Sequence, residues 1–241
     1  MKIVKNLAAA LIVAAALIVS AAFAQPDDGV DREPEIVQIS ATRYQVGAIE
    51  IDTAERRLEI SGRVLRREPP LEYFAVTLGG SKGYESLLEL DATAFEFNLA
   101  CILIGLDAAE SELPQFQFDP GPVVGPRVEV TARWDVDGDT ITAPAASLLT
   151  QGGVVVDDDA WAYTGSLVLP DGRYFAHAAG TLIGFVHDPA SIIEHVNGLG
   201  IGAYGSLGGN ADLMPAEGTP ITLAVQVVPE TPAPAGPTPV K

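Results

Sequence analysis

Short runs of alternating apolar and polar residues, each ended by Gly, Pro or Asp, constrain the fold of this chain more than any other sequence feature. Residues 44–51, 57–65 and 127–134 show this pattern, which is typical of strands that bury one face of a sheet. Further candidate strands are residues 72–78, 84–90, 161–169, 173–178 and 221–228. Because the runs follow one another closely, the sequence predicts antiparallel neighbours in a sheet-dominated domain.

One helix is predicted early in the chain. Thr93 and Glu96 form a capping box at its start, residues 95–104 are apolar on nearly every side, and Gly105 is placed to end it. We therefore expect a buried helix. Cys101 lies in its middle, where a thiol usually behaves as a small buried apolar side chain rather than as a nucleophile.

A second helix is predicted to begin near residue 188. Asp188 is a typical cap residue, Pro189 suits the first turn, and Asn197-Gly198 suits the exit. The apolar residues that would form one face of this helix are Ile192, Ile193 and Val196. The sequence therefore predicts an α+β fold, a mainly antiparallel β domain with two short helices packed on it.

The start of the chain is typical of a secretory signal peptide. Lys2 and Lys5 supply the positive region, residues 7–19 form an apolar run, and Ala22-Phe23-Ala24 is a small-x-small cleavage motif. The alternative is a retained membrane anchor, since the apolar stretch continues up to the cleavage motif and about 18 residues can span a bilayer. The motif at the end of the run favours a signal peptide over residues 1–24.

The remaining chain divides by composition. Residues 25–34 are rich in Pro, Asp and Gly with little to bury, which predicts a disordered lead-in. Five prolines in residues 229–241 predict a disordered, polyproline-like tail. Between these segments, residues 35–228 are expected to form a single β-rich domain.

The charge balance limits the partners of this chain. It carries 14 basic and 32 acidic residues, a net charge of −18, and loss of residues 1–24, with two lysines and no acid, makes it −20. Nucleic-acid binding depends on clustered Lys and Arg, so this class of partner is excluded. The acidity fits solubility, a basic partner or divalent cations. The single cysteine excludes an intramolecular disulfide and a four-thiolate iron–sulfur cluster.

Several blocks of residues resemble a known family. They are Gly83-Tyr84-Glu85-Ser86-Leu87-Leu88, the predicted helix at 98–105, residues 161–166, residues 174–183 and Asp188-Pro189. In this order, over most of residues 45–228, they are similar to the YdjY-like domain family of uncharacterised exported bacterial proteins. The resemblance implies an extracytoplasmic domain and no particular reaction. Some relatives resemble ferredoxin-type proteins with cysteine-bound clusters, and the single cysteine of this chain cannot hold such a cluster. Asn98 stands where relatives tend to have a histidine.

Residues 79–83, Gly-Gly-Ser-Lys-Gly, match the G-x-S-x-G pattern of a nucleophile elbow around Ser81. That pattern needs a strand-to-helix turn, whereas residues 84–90 look like a second strand, and glycines between two strands are typical of a hairpin. A catalytic triad would also need a histidine. We therefore interpret residues 79–83 as a hairpin turn.

The chain has three histidines, His177, His187 and His195, within nineteen residues and beside Asp188 and Glu194. Imidazole with carboxylate is a reasonable ligand set for zinc or a related metal, but this spacing matches no metalloenzyme motif. The alternative explains each histidine separately, with His195 near the C-terminus of the second helix and His177 as an ordinary strand residue. Metal binding stays open, and no catalytic residue and no cofactor are assigned.

Residues 135–139, Asp-Val-Asp-Gly-Asp, resemble the start of a calcium loop. Asp137-Gly138 is also a typical hairpin turn, and no glutamate stands at the twelfth position. The acidic run Asp157, Asp158 and Asp159 is a further source of carboxylates. We interpret Asp137-Gly138 as a hairpin turn.

The glycines Gly200, Gly202 and Gly205 fit a dinucleotide fingerprint only as a text pattern. They follow a predicted helix end rather than a strand, and no βαβ unit surrounds them. Residues 198–209 therefore read as a flexible loop, in which Tyr204 is expected to be exposed and able to stack on a ligand.

These observations favour an exported, non-catalytic envelope or secreted domain with a binding or structural role, in the periplasm or outside the cell. Its partner would be an unknown envelope protein or a small ligand, with no nucleic acid and no membrane span after signal cleavage. The alternatives are a metal-dependent or serine hydrolase on the same scaffold, and an accessory protein of a redox system. A pocket in which two histidines converge with a carboxylate or with Ser81 would favour the hydrolase.

The signal peptide predicts a mature protein that starts at Gln25, because the cleavage motif ends at Ala24. Intact-mass measurement of the protein recovered from the cell envelope or medium would give this start. A membrane-bound species that retains residues 1–24 would contradict it and support the anchor.

Overall fold

The computed structural model describes residues 34–229. The predicted signal peptide at 1–24, the lead-in at 25–34 apart from Pro34, and the tail at 229–241 apart from Pro229 lie outside these residues. Within the described part, no helix combines the length and the apolar character that crossing a bilayer requires.

Strands dominate the described residues. In chain order they are β1 Ile36–Gln38, β2 Arg43–Val46, β3 Ile49–Asp52, β4 Arg57–Val64, β5 Tyr73–Thr77, β6 Ser86–Leu90, β7 Arg127–Val136, β8 Asp139–Pro144, β9 Leu149–Gln151, β10 Val154–Val155, β11 Trp161–Tyr163, β12 Thr181–Gly184, β13 Ile193–His195, β14 Leu207–Gly209 and β15 Pro220–Val227. The two α-helices are α1 Ala94–Leu103 and α2 Phe175–Ala179.

Eight of the strands close on themselves as a barrel. Their order around it is β4, β15, β7, β11, β13, β12, β5 and β6, and β6 pairs with β4 again. In a barrel of eight strands, side chains fill the interior and no edge is left open. The predicted α+β fold, a mainly antiparallel domain with two helices packed on it, was therefore wrong, because the chain forms a mostly β structure around a closed barrel that includes two parallel pairs.

The two parallel pairs explain where the sequence interpretation failed. β5 runs parallel to β6, and β12 runs parallel to β13, each pair joined by eight residues, 78–85 and 185–192. Parallel neighbours cannot be joined by a hairpin turn and need a crossover, usually of a dozen residues or more. Residues 79–83 are thus part of a short crossover, and the hairpin expected there was wrong.

Two barrel strands also carry branches. One edge of β4 pairs with β3 in its first half and with β6 in its second half, so β1, β2 and β3 extend away from the barrel. One edge of β7 is likewise shared between β11 and the hairpin partner β8. A separate small sheet contains β10, β9 and β14.

The second predicted helix was wrong. Its central residues form β13, which is buried and hydrogen-bonded to β11 and β12 on its two sides. A strand buried on both faces shows no period-2 alternation, so the apolar residues Ile192, Ile193 and Val196 were compatible with either element. Asp188 does bind the following backbone, since it accepts from the Ala190 N–H at 2.9 Å, but the chain turns there instead of starting a helix.

The short helix α2 lies where a strand was predicted at 173–178. It begins after Tyr174 and ends at Gly180, whose φ of +74° is the left-handed conformation that glycine adopts readily. The segment 161–169 is a strand only at Trp161–Tyr163. Residues 44–51 form a hairpin, β2 and β3, that turns at Gly47.

Helix α1 forms where the sequence predicts it, but it is only partly buried. Thr93 and Glu96 make both bonds of the capping box, and Gly105, with φ of +89°, follows the last turn. Phe97 and Cys101 are buried, while Ile102 is half exposed, so the helix covers the barrel with one side only. Burial raises the pKa of the Cys101 thiol, which stays protonated within the core.

Barrel closure depends on Gly62, where β6 approaches β4. A Cβ at Gly62 would overlap the Glu89 carbonyl oxygen and lie 2.7 Å from Leu90 Cδ2. We expect Gly62→Ala to lower the free energy of unfolding by about 2–3 kcal/mol, because β6 would have to move away from β4. Urea unfolding measures the change. Gly121→Ala, where the nearest atom is 3.4 Å from the added Cβ, is the control, and equal midpoints for the two variants would contradict the explanation.

Candidate functional site

The two crossovers meet beside Tyr73, where they enclose a group of polar side chains that we call the crossover cluster. Its members are Glu72, Tyr73, Glu85, Asp188 and Glu194, all of them buried. The backbone of Glu72 bonds to both crossovers, since its N–H donates to the Glu85 carbonyl at 2.8 Å and its carbonyl accepts from the Phe185 N–H at 3.4 Å. Four carboxyl groups thus lie at one end of β5.

Asp188 is bonded on all sides within this cluster. Its Oδ2 accepts from the Tyr73 hydroxyl at 2.5 Å, its Oδ1 accepts from the Ala190 N–H, and its own N–H donates to Glu194 Oε1 at 2.7 Å. Burial and the neighbouring Asp188 carboxylate raise the pKa of Tyr73, so the phenol remains a donor. The hydroxyl therefore binds the second crossover to β5.

Glu194 is the most deeply buried of the carboxyl groups, with no exposed surface. It lies against Gly184, where a Cβ would be 2.8 and 3.0 Å from its two carboxyl oxygens. Burial raises the pKa of Glu194 well above its usual value, because the charged form has lost its water. Glu194 Oε2 and Ser191 Oγ both lie beside Gly184, and neither has a further hydrogen-bond partner among the described residues. The uncharged form of Glu194 is therefore favoured up to a higher pH than in an exposed glutamate.

The outer members of the cluster face a cation and an amide. Lys82 Nζ donates to Glu85 Oε1 at 2.9 Å and lies 5.4 Å from the centre of the Tyr73 ring. The Gln117 side chain donates to Glu72 Oε2 at 3.0 Å. Burial, and then the charge of Glu85, raise the pKa of Glu72. Glu72 therefore carries a proton to a higher pH than an exposed glutamate.

Two exposed aromatic rings flank these outer carboxylates. Tyr84 is 63% exposed and Tyr204 is 74% exposed, as the sequence predicted for Tyr204. Tyr204 and Phe118 line a shallow recess together with Glu72. Tyr84 follows Lys82 by two residues, and its pKa is raised chiefly by the charge of Glu85. We call Glu72, Glu85, Tyr84 and Tyr204 the tyrosine rim.

His187 is fully buried and faces two backbone oxygens. Its Nδ1 lies 2.6 Å from the Asp119 carbonyl oxygen, and its Nε2 lies 2.9 Å from the His195 carbonyl oxygen. Carbonyl oxygens only accept hydrogen bonds, so the ring can satisfy both only when both nitrogens carry protons. His187 thus joins the segment before β7 to the end of β13.

The rings of the other two histidines make separate contacts. His195 is on strand β13 instead of a helix, its Nε2 lies 2.7 Å from the Asp158 carbonyl oxygen, and burial lowers its pKa. His177 is on α2, with its ring 4.7 Å from that of Phe95. Within residues 34–229, no three His, Cys, Asp or Glu side chains are grouped to hold a metal ion.

Ser81 does not occupy a nucleophile elbow. Its hydroxyl donates to the Ala179 carbonyl at 3.1 Å, and Gly80 packs against Gly180 at the end of α2. The residues after it form a 3-10 turn, Gly83–Glu85, and then β6, rather than an α-helix. The serine thus fixes the first crossover to α2.

The aspartate segment 135–139 forms the predicted hairpin turn. Val136 pairs with Asp139, and Asp137 and Gly138 have φ of +52° and +93°, as a two-residue type I′ turn requires. Asp135 accepts from the Thr140 hydroxyl at 2.7 Å. These residues therefore have a structural role in the β7–β8 hairpin.

The other two sequence candidates also have structural contacts. In the acidic run, Asp158 accepts from the Asn197 amide at 2.7 Å, and Asp159 accepts from the Trp161 indole N–H at 2.8 Å. Residues 200–205 form turns in which all three glycines have positive φ, and no helix follows them. The loop expected at 198–209 is therefore present up to residue 206, whereas its last three residues form β14.

The sequence interpretation missed the crossover cluster. A usable signal was present, since Glu72 stands in an otherwise apolar run and Glu194 follows two isoleucines, where a buried acid is unusual. What the pattern could not give is the meeting of residues more than 100 positions apart, such as Tyr73 and Asp188.

The raised pKa of Glu194 predicts a dependence of stability on pH. Glu194 has a pKa of 4.5 in the unfolded chain and a higher pKa in the folded protein. Between these two pKa values the folded state holds more protons than the unfolded state, so stability falls as pH rises from 4.5 to the folded pKa. Glu194→Gln keeps the shape and the acceptor for the Asp188 N–H without this titration. At neutral pH we expect the variant to be more stable than the parent by roughly 1–3 kcal/mol.

Urea unfolding at a series of pH values measures this difference. The pKa of Glu72 is also raised above 4.5, so the stability of the variant still falls with pH, but less steeply than that of the parent. Glu129→Gln, on an exposed position of β7, is the control and should leave the profile unchanged. A Glu194→Gln profile parallel to that of the parent would show that Glu194 is ionised in the fold.

Comparison with known proteins adds one finding to this geometry. The model of the YdjY domain family matches residues 49–226, which include the barrel strands and both crossovers. No curated protein and no solved structure matches this chain. The resemblance inferred from the residue blocks is therefore confirmed, and the chain belongs to the YdjY domain family.

Proposed function

We propose that this protein is an exported, non-catalytic domain that binds a basic partner in the cell envelope or outside the cell, with the tyrosine rim as its contact surface. The observation that carries the proposal is the placement of two nearly buried carboxylates, Glu72 and Glu85, between the exposed rings of Tyr84 and Tyr204. The signal-peptide pattern of residues 1–24 supports export.

The contacts of the reactive side chains support a non-catalytic role. Tyr73, Ser81 and His187 each bind an acceptor that belongs to the fold, namely a carboxylate or a backbone carbonyl. Glu194 is enclosed and holds the second crossover. A nucleophile or general base must be free to reach a substrate, whereas these groups stabilise the two crossovers.

The chemistry of the tyrosine rim favours a positively charged group. A lysine or arginine side chain would form charge-assisted hydrogen bonds with Glu72 or Glu85 and lie over the face of a tyrosine ring. The net charge of −18 attracts a basic partner over longer range and speeds association. Lys82 already pairs with Glu85, which leaves Glu72 as the stronger candidate for the contact.

The binding surface can be tested with a tetralysine peptide as the probe. We expect Glu72→Gln to weaken its binding about tenfold, the effect of losing one charge-assisted contact. In the parent protein the affinity should rise with pH above 4.5, because a cation favours ionised Glu72, whose pKa is raised in the free protein. Isothermal titration calorimetry at several pH values gives both quantities.

The matched control is Glu129→Gln, which removes the same charge from an exposed position on β7. It should change the affinity by less than about twofold. Equal weakening in the two variants would mean that the peptide responds to net charge alone, and the tyrosine rim would then be the wrong surface.

A further inference from the structure

A loop between α1 and β7 reaches the crossover cluster. Residues 112–124, which we call the strap, begin and end side by side, since the Glu112 N–H donates to the Val124 carbonyl at 2.9 Å. Val123 is buried, and its N–H donates to the Val196 carbonyl at 2.9 Å. A loop of this length with its ends close together is an Ω-loop. Its base is fixed to the barrel.

The tip of the strap, residues 115–121, is a turn organised by Asp119. The Asp119 carboxylate accepts from the Gln115 N–H and from the Gly121 N–H, each at 3.0 Å. Phe116, within the tip, is 55% exposed. Because the tip is shaped by its own bonds and buries little, it can lift as a unit while the base stays in place.

Two of the bonds that hold the tip down go to His187. The Phe118 N–H donates to the His187 carbonyl at 2.9 Å, and His187 Nδ1 lies 2.6 Å from the Asp119 carbonyl oxygen. Phe118 and His187 both have a left-handed backbone, with φ of +65° and +63°, which residues other than glycine rarely adopt. Residues strained in this way are concentrated at clamps and switches.

The bond from the His187 ring to the tip depends on two ring protons. On its other side the ring faces the His195 carbonyl oxygen, 2.9 Å from Nε2. Carbonyl oxygens only accept, so a neutral ring must turn one nitrogen lone pair towards an oxygen, which repels it. His195 belongs to β13, which is paired on both edges, whereas the tip is an exposed turn. Movement of the tip therefore relieves the repulsion.

We propose that the strap is a pH-sensitive latch, in which the doubly protonated ring of His187 holds the tip down and loss of one ring proton releases it. The hold is present at low pH and weakens as pH rises. Release also separates Gln117 from Glu72, to which it donates at 3.0 Å. One consequence rests on the function proposed above, namely that release frees the Glu72 carboxylate for a basic partner.

The titratable groups that face His187 do not produce this behaviour. Bonds from two backbone N–H groups lower the pKa of Asp119, which stays ionised where histidines titrate. Burial lowers the pKa of His195, so its ring gains a proton only at a lower pH than an exposed histidine. Asp188 is held by Tyr73. Burial raises the pKa of Glu194, and its ionisation at higher pH would favour the charged ring and oppose release.

Two further carboxyl groups lie one contact away. Asp158 lies 3.9 Å from His195 Nε2 and accepts from the Asn197 amide. Glu72 accepts from Gln117 in the tip, and its ionisation as pH rises strengthens that bond. Glu72 thus also acts against release.

Hydrogen exchange of backbone amides, measured by NMR without any ligand, tests the latch. Exchange of the Phe118 N–H requires the tip to leave His187, and the Val123 N–H at the base is the internal control. From about pH 5 to 8, where histidines change charge, the protection factor of Phe118 should fall about tenfold, the effect of one lost hydrogen bond. That of Val123 should stay constant. Equal changes at the two amides, or none at Phe118, would overturn the proposal.

Two variants replace the ring with amides that do not titrate. His187→Asn places its amide nitrogen near the position of Nδ1, so it can keep the bond to Asp119, and asparagine tolerates the left-handed backbone. His187→Gln reaches the position of Nε2 instead and loses the bond to the tip. Phe118 should be about tenfold less protected in His187→Gln than in His187→Asn, with no fall as pH rises in either. A fall that persists in both would overturn the assignment to His187.

Circular dichroism and thermal unfolding check the fold of each variant. If both variants fail to fold, proton–nitrogen NMR correlation of the His187 ring in the parent protein decides, because it distinguishes the doubly protonated ring from each neutral tautomer. A neutral ring at the pH where Phe118 is most protected would overturn the proposal. Since no peptide is present, failure of the latch leaves the tetralysine result unaffected.

Discussion

The hydrogen bonds around Asp188 hold together the parts of this barrel that are hardest to join. They connect the hydroxyl of Tyr73 on β5, the backbone of the second crossover at Ala190, and the carboxyl group of Glu194 on β13. A crossover of eight residues has no room for a helix that would satisfy its own backbone groups. Side-chain oxygens accept hydrogen bonds from the backbone N–H groups of the crossover instead, and this explains why acidic residues are buried beside it.

The first crossover follows the same principle. Its Gly79 N–H donates to Glu89 Oε1 at 2.8 Å, and the Ser86 hydroxyl donates to the Lys82 carbonyl at 2.7 Å. Glu89 in turn pairs with Arg63, so the first crossover is connected to the neighbouring strand β4. Buried carboxyl groups are costly when unpaired, and here most of them hold a backbone N–H or a cation.

The crossover cluster contains side chains that are enclosed in the fold, and exposed side chains lie next to it. Tyr73, Asp188 and Glu194 are enclosed between strands and crossovers, whereas Tyr84 and Tyr204 project from the loops beside them. The outer carboxylates of Glu72 and Glu85 are held instead by the side chains of Gln117 and Lys82. A rigid barrel that presents polar groups at its loops is a common basis for recognition.

Features that depend on near neighbours in the chain were determined by the sequence alone. The capping box of Thr93 and Glu96, the type I′ turn at Asp137-Gly138 and the alternating strands β4, β7 and β15 all formed as predicted. Each of these follows from bonds or side-chain alternation within about ten residues, which the pattern of the chain records directly.

Tertiary structure decided the closure of the barrel, the parallel pairs and the crossover cluster. Residues 193–195 became a buried strand because β11 and β12 pair with both of its edges, and no local pattern distinguishes such a strand from a buried helix. The approach of β6 to Gly62 and the bond between Tyr73 and Asp188 join residues distant in the chain. Their energies depend on how the strands close, which only the folded chain fixes.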